Sequence, residues 1–182
     1  MTEVTPVPAA SVILLRGNPY EVLMIRRHEK ASFVPNAWVF PGGAVDAADA
    51  RATTLETMRA AAAREMLEET GIAIDPAELV WTSRWITPAG LPKRFDAYFF
   101  LTPARDGAEA TLNRDEAVDV VWITPPDALA RLDPVFPVRK NLEAIAGYDS
   151  IKNLIASRRG IEITPVQPIM IVEGGKRKFV LP

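Results

Sequence analysis

The chain has no cysteine among its 182 residues and a single histidine, His28. The first absence excludes disulfides, thiolate metal sites and a cysteine nucleophile, and the second excludes a multi-histidine zinc centre. An excess of one charge is also lacking: 21 Lys and Arg stand against 23 Asp and Glu, a formal net charge of −2. Such a balance gives no basic field for nucleic acid, although Arg26-Arg27 and Lys93-Arg94 make local positive spots. No apolar run reaches the roughly 18–20 residues that span a bilayer, and Met1–Ala10 has neither the charged start nor the apolar middle of a signal peptide. The expectation is a cytoplasmic protein without nucleic-acid or membrane partners.

What is present reads as one domain over residues 1–182 with mixed α and β structure, preceded by a proline-rich, flexible stretch at 1–9. Ser11–Arg16 and Tyr20–Arg26 are β-branched, apolar runs joined through Gly17-Asn18-Pro19, which predicts a hairpin, and Ala37–Phe40 a third short strand. Leu79–Thr87 and Arg94–Leu101 read as a second strand pair, and Val118–Ile123 as a further strand before Pro125-Pro126. Helices are expected over Asp127–Leu132, Val138–Ala146 and Ser150–Arg158, and a terminal hairpin over Ile169–Val172 and Lys178–Leu181 around Gly174-Gly175. Trp85, Phe95, Phe99 and Trp122 are assigned to packing.

Arg64-Glu65-Met66-Leu67-Glu68-Glu69-Thr70-Gly71-Ile72 carries the chemistry. Glu65, Glu68 and Glu69 stand at i, i+3 and i+4, so on a helix they share one face with Cβ atoms roughly 5–6 Å apart. Like charges so placed repel by a few tenths of a kcal/mol per pair, roughly, unless a cation sits between them. Hard oxygens converging on one point suit Mg²⁺ or Mn²⁺. Upstream, Thr53 or Thr54 can cap this helix, Leu55, Ala62 and Met66 form its apolar stripe, and Ala60–Ala63 permits close packing on a sheet. Gly71 ends it as a left-handed cap. Arg64 is expected to hold carboxylates in place, pairing with Glu68 or Glu56.

Together with Phe40-Pro41-Gly42-Gly43, this segment resembles the Nudix box, G-x5-E-x7-R-E-U-x-E-E-x-G-U with U a bulky aliphatic residue. Glu56-x7-Arg64-Glu65 through Gly71-Ile72 matches the fixed positions, with Met66 where Ile, Leu or Val is usual. The first part departs: twelve residues separate Gly43 from Glu56 instead of five, a seven-residue insertion within Ala44–Leu55, from which Asp46 or Asp49 could take over part of the role of Glu56. The resemblance implies an α/β/α sandwich, an α/β (α+β) Nudix fold with a mixed sheet, to which residues 133–182 add helices and a hairpin that cover the sheet or build a homodimer. It implies metal-dependent hydrolysis of a nucleoside diphosphate derivative by water. Glu65, Glu68 and Glu69 would bind Mg²⁺ or Mn²⁺, Glu68 or Glu116 would accept a proton, Arg64 would orient the carboxylates, and Arg27, Gly42, Gly43, Lys93 and Arg94 would contact substrate.

Trp85-Ile86-Thr87-Pro88, then Lys93 through Phe100 and Asp115-Glu116-Ala117, are similar to the acyl-coenzyme A diphosphatase branch of that family. Of a further signature of coenzyme A diphosphatases, Leu23, Arg27 and Phe40-Pro41-Gly42-Gly43 match, but Met24, Ile25, His28, Ser32 and Asn36 depart. Ser32 stands where that pattern has a second arginine, leaving Lys30 as the candidate phosphate contact. Hydrolases of ADP-ribose, NADH, dinucleotides or nucleoside triphosphates are the alternative within the enzyme class. A non-catalytic nucleotide-binding module is the alternative outside it.

Overall fold

Alternation along three long strands decides the layering. In the computed structural model, which describes residues 3–181 apart from the side chains of Lys176 and Arg177, β1 (Val7–Gly17), β2 (Tyr20–Arg27) and β6 (Phe95–Pro103) are buried on both faces. Ile13, Leu15, Val22, Met24, Phe99 and Leu101 point to one core, and Ala10, Val12, Leu14, Leu23, Tyr98 and Phe100 to the other. Strands buried on both faces need a cover on each side. The helix α1 (Thr54–Thr70) supplies one cover through Met58, Ala61, Ala62 and Met66, and α2 (Pro125–Arg131), α3 (Phe136–Ile145) and α4 (Ile151–Arg158) supply the other. The expected α/β/α sandwich is therefore present, and α3 and α4 cover the sheet.

The mixed sheet splays around the site. β1 pairs in parallel with β6 over Val7–Leu15, and β6 pairs antiparallel with β5 (Val80–Ile86). On its other side β1 pairs with β2 over Leu15–Gly17, but near its start it pairs with β4 (Gly42–Ala44) over Ala9–Ser11. β2 meanwhile turns to β3 (Trp38–Val39) and, on its far edge, to β7 (Ala117–Ile123). The two long strands so part company where β4 and α1 come together. A separate hairpin, β8 (Ile169–Glu173) and β9 (Lys176–Val180), closes the chain.

Two expectations change here. Residues 7–9 of the proline-rich N-terminal stretch belong to β1, because Val7–Ala9 pair with β6 and the Pro8 carbonyl accepts from Val45 N–H. Arg94 is buried instead of forming a positive spot on the surface. It is 3% exposed and donates to the Thr87 and Val4 carbonyls and to the Glu3 carboxylate, tying the start of the chain to the sheet. Arg94→Met should therefore destabilise the fold by about 1–3 kcal/mol, since it removes the hydrogen bonds a buried guanidinium makes to two carbonyls and a carboxylate, and should leave KM unchanged; denaturant unfolding beside steady-state kinetics checks this. The packing assignments hold: Trp85 and Phe99 lie in the core, Phe95 meets Phe33 edge to face at 5.0 Å, and Trp122 lies under the Arg16 guanidinium at 4.1 Å.

Candidate active site

α1 is specified at both ends. The Thr53 hydroxyl accepts from Glu56 N–H while the Glu56 carboxylate accepts from Thr53 N–H, a reciprocal cap, and Gly71 ends the helix at φ 70° with its N–H on the Leu67 carbonyl. Thr53 is thus the cap, and Glu56 is occupied by it rather than by Arg64. The apolar face of α1 lies on β1 and β4, and Glu65 and Glu69 ride the edge of that face. Gly42 N–H donates to the Glu69 carboxylate at 2.7 Å. A Cβ on Gly43 would come within 2.6 Å of the Glu65 carboxylate, so a side chain there would displace it. Gly42 thus seats the Glu69 carboxylate, and the missing side chain of Gly43 leaves room for that of Glu65.

Glu116 reaches the same point from the other wall. The end of α1 leaves carbonyls without intrahelical donors, and two are met by the loop before β7: Asn113 N–H donates to Glu69 O and Thr111 N–H to Thr70 O. His28 N–H, at the end of β2, donates to Glu116 O. These bonds bring one oxygen each of Glu65, Glu69 and Glu116 within 4.8 Å of one another. Glu68 lies outside this trio; it is exposed and accepts from Arg64 Nη1.

The electrostatics of the cluster are those of an anion site with too few cations. Glu69 is 4% exposed, and burial pushes its carboxyl up to about 8, against the opposing pull of the Gly42 N–H, with Glu65 and Glu116 adding repulsion. Burial likewise raises Glu65, although Arg64 counteracts it. A divalent cation reverses both effects by supplying the missing positive charge, and an all-carboxylate donor set fits Mg²⁺ or Mn²⁺ better than softer ions.

Arg64 uses all its N–H groups. Nε donates to both oxygens of Asp49 at 3.0 and 3.2 Å, Nη2 to Asp49 and to the Ala44 carbonyl at 2.9 Å each, and Nη1 to Glu65 and Glu68 at 2.8 Å each. Of the two pairings expected for Arg64, the one with Glu68 forms and the one with Glu56 does not. Asp49, buried and held well below the usual carboxylate range by the Arg64 hydrogen bonds, takes that place.

Beside the cluster lies a cavity of about 210 Å³ with an acidic wall of Glu69, Asp115 and Glu116 and a basic wall of Arg27, His28 and Lys30. Arg27 Nε is buried without a hydrogen-bond partner, a donor left for an anion. Lys93 lies outside the cavity lining, its ammonium on Ser32 Oγ at 2.8 Å and over the Phe95 ring. His28 and Asp115 had no assigned role in the sequence; their position follows only from the pairing of β2 with β7.

A family model for the NUDIX domain matches residues 5–143. The chain belongs to the Nudix family. Nudix hydrolase 7 of Caenorhabditis elegans is 30% identical over 156 residues, covering 66% of this chain and 52% of that protein. The acyl-coenzyme A diphosphatase of Gallus gallus is 42% identical over 65 residues, 29% of this chain and 17% of the relative. The chain thus spans about half the length of the first of these relatives and less of the second. A Nudix hydrolase crystal structure from Alicyclobacillus acidocaldarius superposes with a TM-score of 0.77 at 23% identity, over 84% of this chain and 96% of that one, and agrees in fold. Among the described residues no helix is long and apolar enough to cross a membrane.

Proposed function

We propose that the chain hydrolyses the diphosphate bond of a nucleoside diphosphate derivative by direct attack of water, with Mg²⁺ or Mn²⁺ as cofactor and coenzyme A or an acyl-coenzyme A as substrate, in the cytoplasm. The observation that carries the reaction is the convergence of Glu65, Glu69 and Glu116 opposite a basic wall. Glu65 and Glu69 would hold the cation, which supplies charge neutralisation for the diphosphate oxygens and polarises water. Arg27, with its unpartnered Nε, takes a phosphoryl oxygen and fixes the anion against the cluster. Glu116, exposed on the facing wall, accepts the proton of the attacking water. Similarity to the Gallus gallus acyl-coenzyme A diphosphatase supports the substrate.

A m7GpppN-mRNA hydrolase of Danio rerio is also similar, at 34% identity over 90 residues, 45% of this chain and 28% of that protein. Capped dinucleotides accordingly belong in the test. The chain is incubated with Mg²⁺ or Mn²⁺ and coenzyme A, acyl-coenzyme A, ADP-ribose, NADH, dinucleoside polyphosphates, nucleoside triphosphates and a capped dinucleotide, and products are identified by mass spectrometry. Release of 3′,5′-ADP with a phosphopantetheine supports the reading. Cleavage of another compound alone moves the substrate, and binding without turnover under any metal overturns the reaction. Within it, Glu116→Gln should lower kcat about 10²-fold or more, as for loss of a general base, whereas Glu68→Gln should lower it less; parallel kcat measurements check the order.

A further inference from the structure

We infer that the His28 imidazole donates from Nε2 to a phosphoryl oxygen of the bound diphosphate, beside Arg27, and so sets the affinity for that group. This contact rests on the hydrolase reading above and adds to it a side chain without a role there.

Neighbouring side chains on a strand face opposite sides, yet Arg27 and His28 both line the cavity. The strand ends between them. β2 stops at Arg27, where its pairing with β7 shifts register, Arg26 facing Asp119 and Arg27 facing Ala117. Such an irregularity re-aims the side chains beside it. The chain then turns over His28–Ala31, with Ala31 N–H on the His28 carbonyl at 3.0 Å, and Lys30 and Ala31 join the same wall. His28 N–H donates to the Glu116 carbonyl at 3.0 Å, which ties this turn to the facing wall.

The ring is fixed as well. Lys30 N–H donates to His28 Nδ1 at 3.0 Å. A ring nitrogen that accepts carries no proton, so the imidazole proton sits on Nε2 and makes it a donor. The N–H, C=O and Nδ1 of His28 are thus engaged within the protein, while among the described residues Nε2 has no hydrogen-bond partner. Arg27 Nε, one position earlier, is buried without a partner. Two adjacent residues therefore each hold a donor open on one wall, and neither donor is spent on the carboxylates across the cavity. A diphosphate offers several charged oxygens at once, and hydrogen bonds to them are stronger than neutral ones.

Two substitutions separate this role from a purely structural one. Asparagine places its side-chain oxygen where Nδ1 stands and can keep the Lys30 N–H, as residues at such turns do, but it ends short of Nε2. Glutamine reaches the Nε2 position with an N–H and gives up the Lys30 bond. His28 is half-buried at a turn, so both polar variants are expected to fold. In the full chain with Mg²⁺, binding of α,β-methylene-ADP, whose bridging carbon resists hydrolysis, is measured by calorimetry. Mn²⁺ binding without nucleotide is measured by electron paramagnetic resonance of the free ion.

His28→Asn should weaken the analogue about 10–100-fold, as for a lost hydrogen bond to a charged group, and His28→Gln less than about threefold. Mn²⁺ affinity should be the same in both. On the diphosphate that the wild type cleaves, KM should rise in the same order while kcat stays within about threefold. Retained binding in His28→Asn, equal losses in the two variants, or a parallel fall in Mn²⁺ affinity overturns the inference, as does a wild type that does not bind the analogue. A wild type that binds it, with the loss confined to His28→Asn, but cleaves no diphosphate overturns the hydrolase reading and supports the His28 contact.

Discussion

Glu69→Gln is expected to reduce divalent-cation-dependent turnover about 10²–10³-fold, roughly 3–4 kcal/mol of transition-state stabilisation, while the protein stays folded. Glutamine has the shape of glutamate and keeps an oxygen for the Gly42 N–H, so the contact that seats the side chain survives. What it loses is the charge. The same substitution has an opposite, pH-dependent effect on the metal-free fold. The folded carboxyl holds its proton up to about 8, whereas the unfolded side chain releases it near 4.5. Between those values the native state binds more protons than the unfolded state, so wild-type stability falls as pH rises through this window and levels off above it. Glutamine does not titrate. In chelator, Glu69→Gln should gain on the wild type between pH 5 and 8.5, as read by thermal unfolding; a constant difference across that range would show that burial does not hold the proton on Glu69.

Gly42→Ala should be the most destabilising small substitution in the site, by about 2–5 kcal/mol from backbone strain and overpacking together. Gly42 sits at φ 153°, and a Cβ there would lie 2.3 Å from the Ala10 carbonyl oxygen and 2.5 Å from Ser11 Oγ. Backbone on the central strand cannot retreat without breaking its pairing with β6. A loss of roughly 10 °C in Tm follows for a chain of this size. Gly43→Ala makes the contrast, since the atoms nearest its Cβ would be those of the Glu65 carboxylate, at the end of a flexible side chain. That variant should fold nearly as well and lose activity through displacement of Glu65. Equal losses of stability in the two variants would refute the distinction.

The elements were legible because their signals are local. Thr53 and Gly71 bound α1, and the turn at Gly17–Pro19 joins β1 to β2. The burial of Arg94 was not legible for a reason of the same kind: a basic pair in a sequence looks like a charged surface, and the hydrogen bonds to Glu3 and Val4 that hold its guanidinium join segments about ninety positions apart. Val7–Ala9 were misread because a proline-rich start carries no strand signal of its own, and the pairing that orders it comes from β6, almost ninety positions away.

The sequence by itself determined that three carboxylates at i, i+3 and i+4 share a helix face beside a glycine pair, because helical periodicity and the absence of a Cβ are properties of residue order. It nominated Glu116 without saying what would bring it to them. Tertiary structure decided which carboxylates converge. The loop before β7 satisfies the last carbonyls of α1 and so delivers Glu116 to Glu65 and Glu69, while Arg64 draws Glu68 aside and Asp49 displaces Glu56. Those choices depend on hydrogen bonds between segments far apart in the chain, and spacing along a single helix does not encode them.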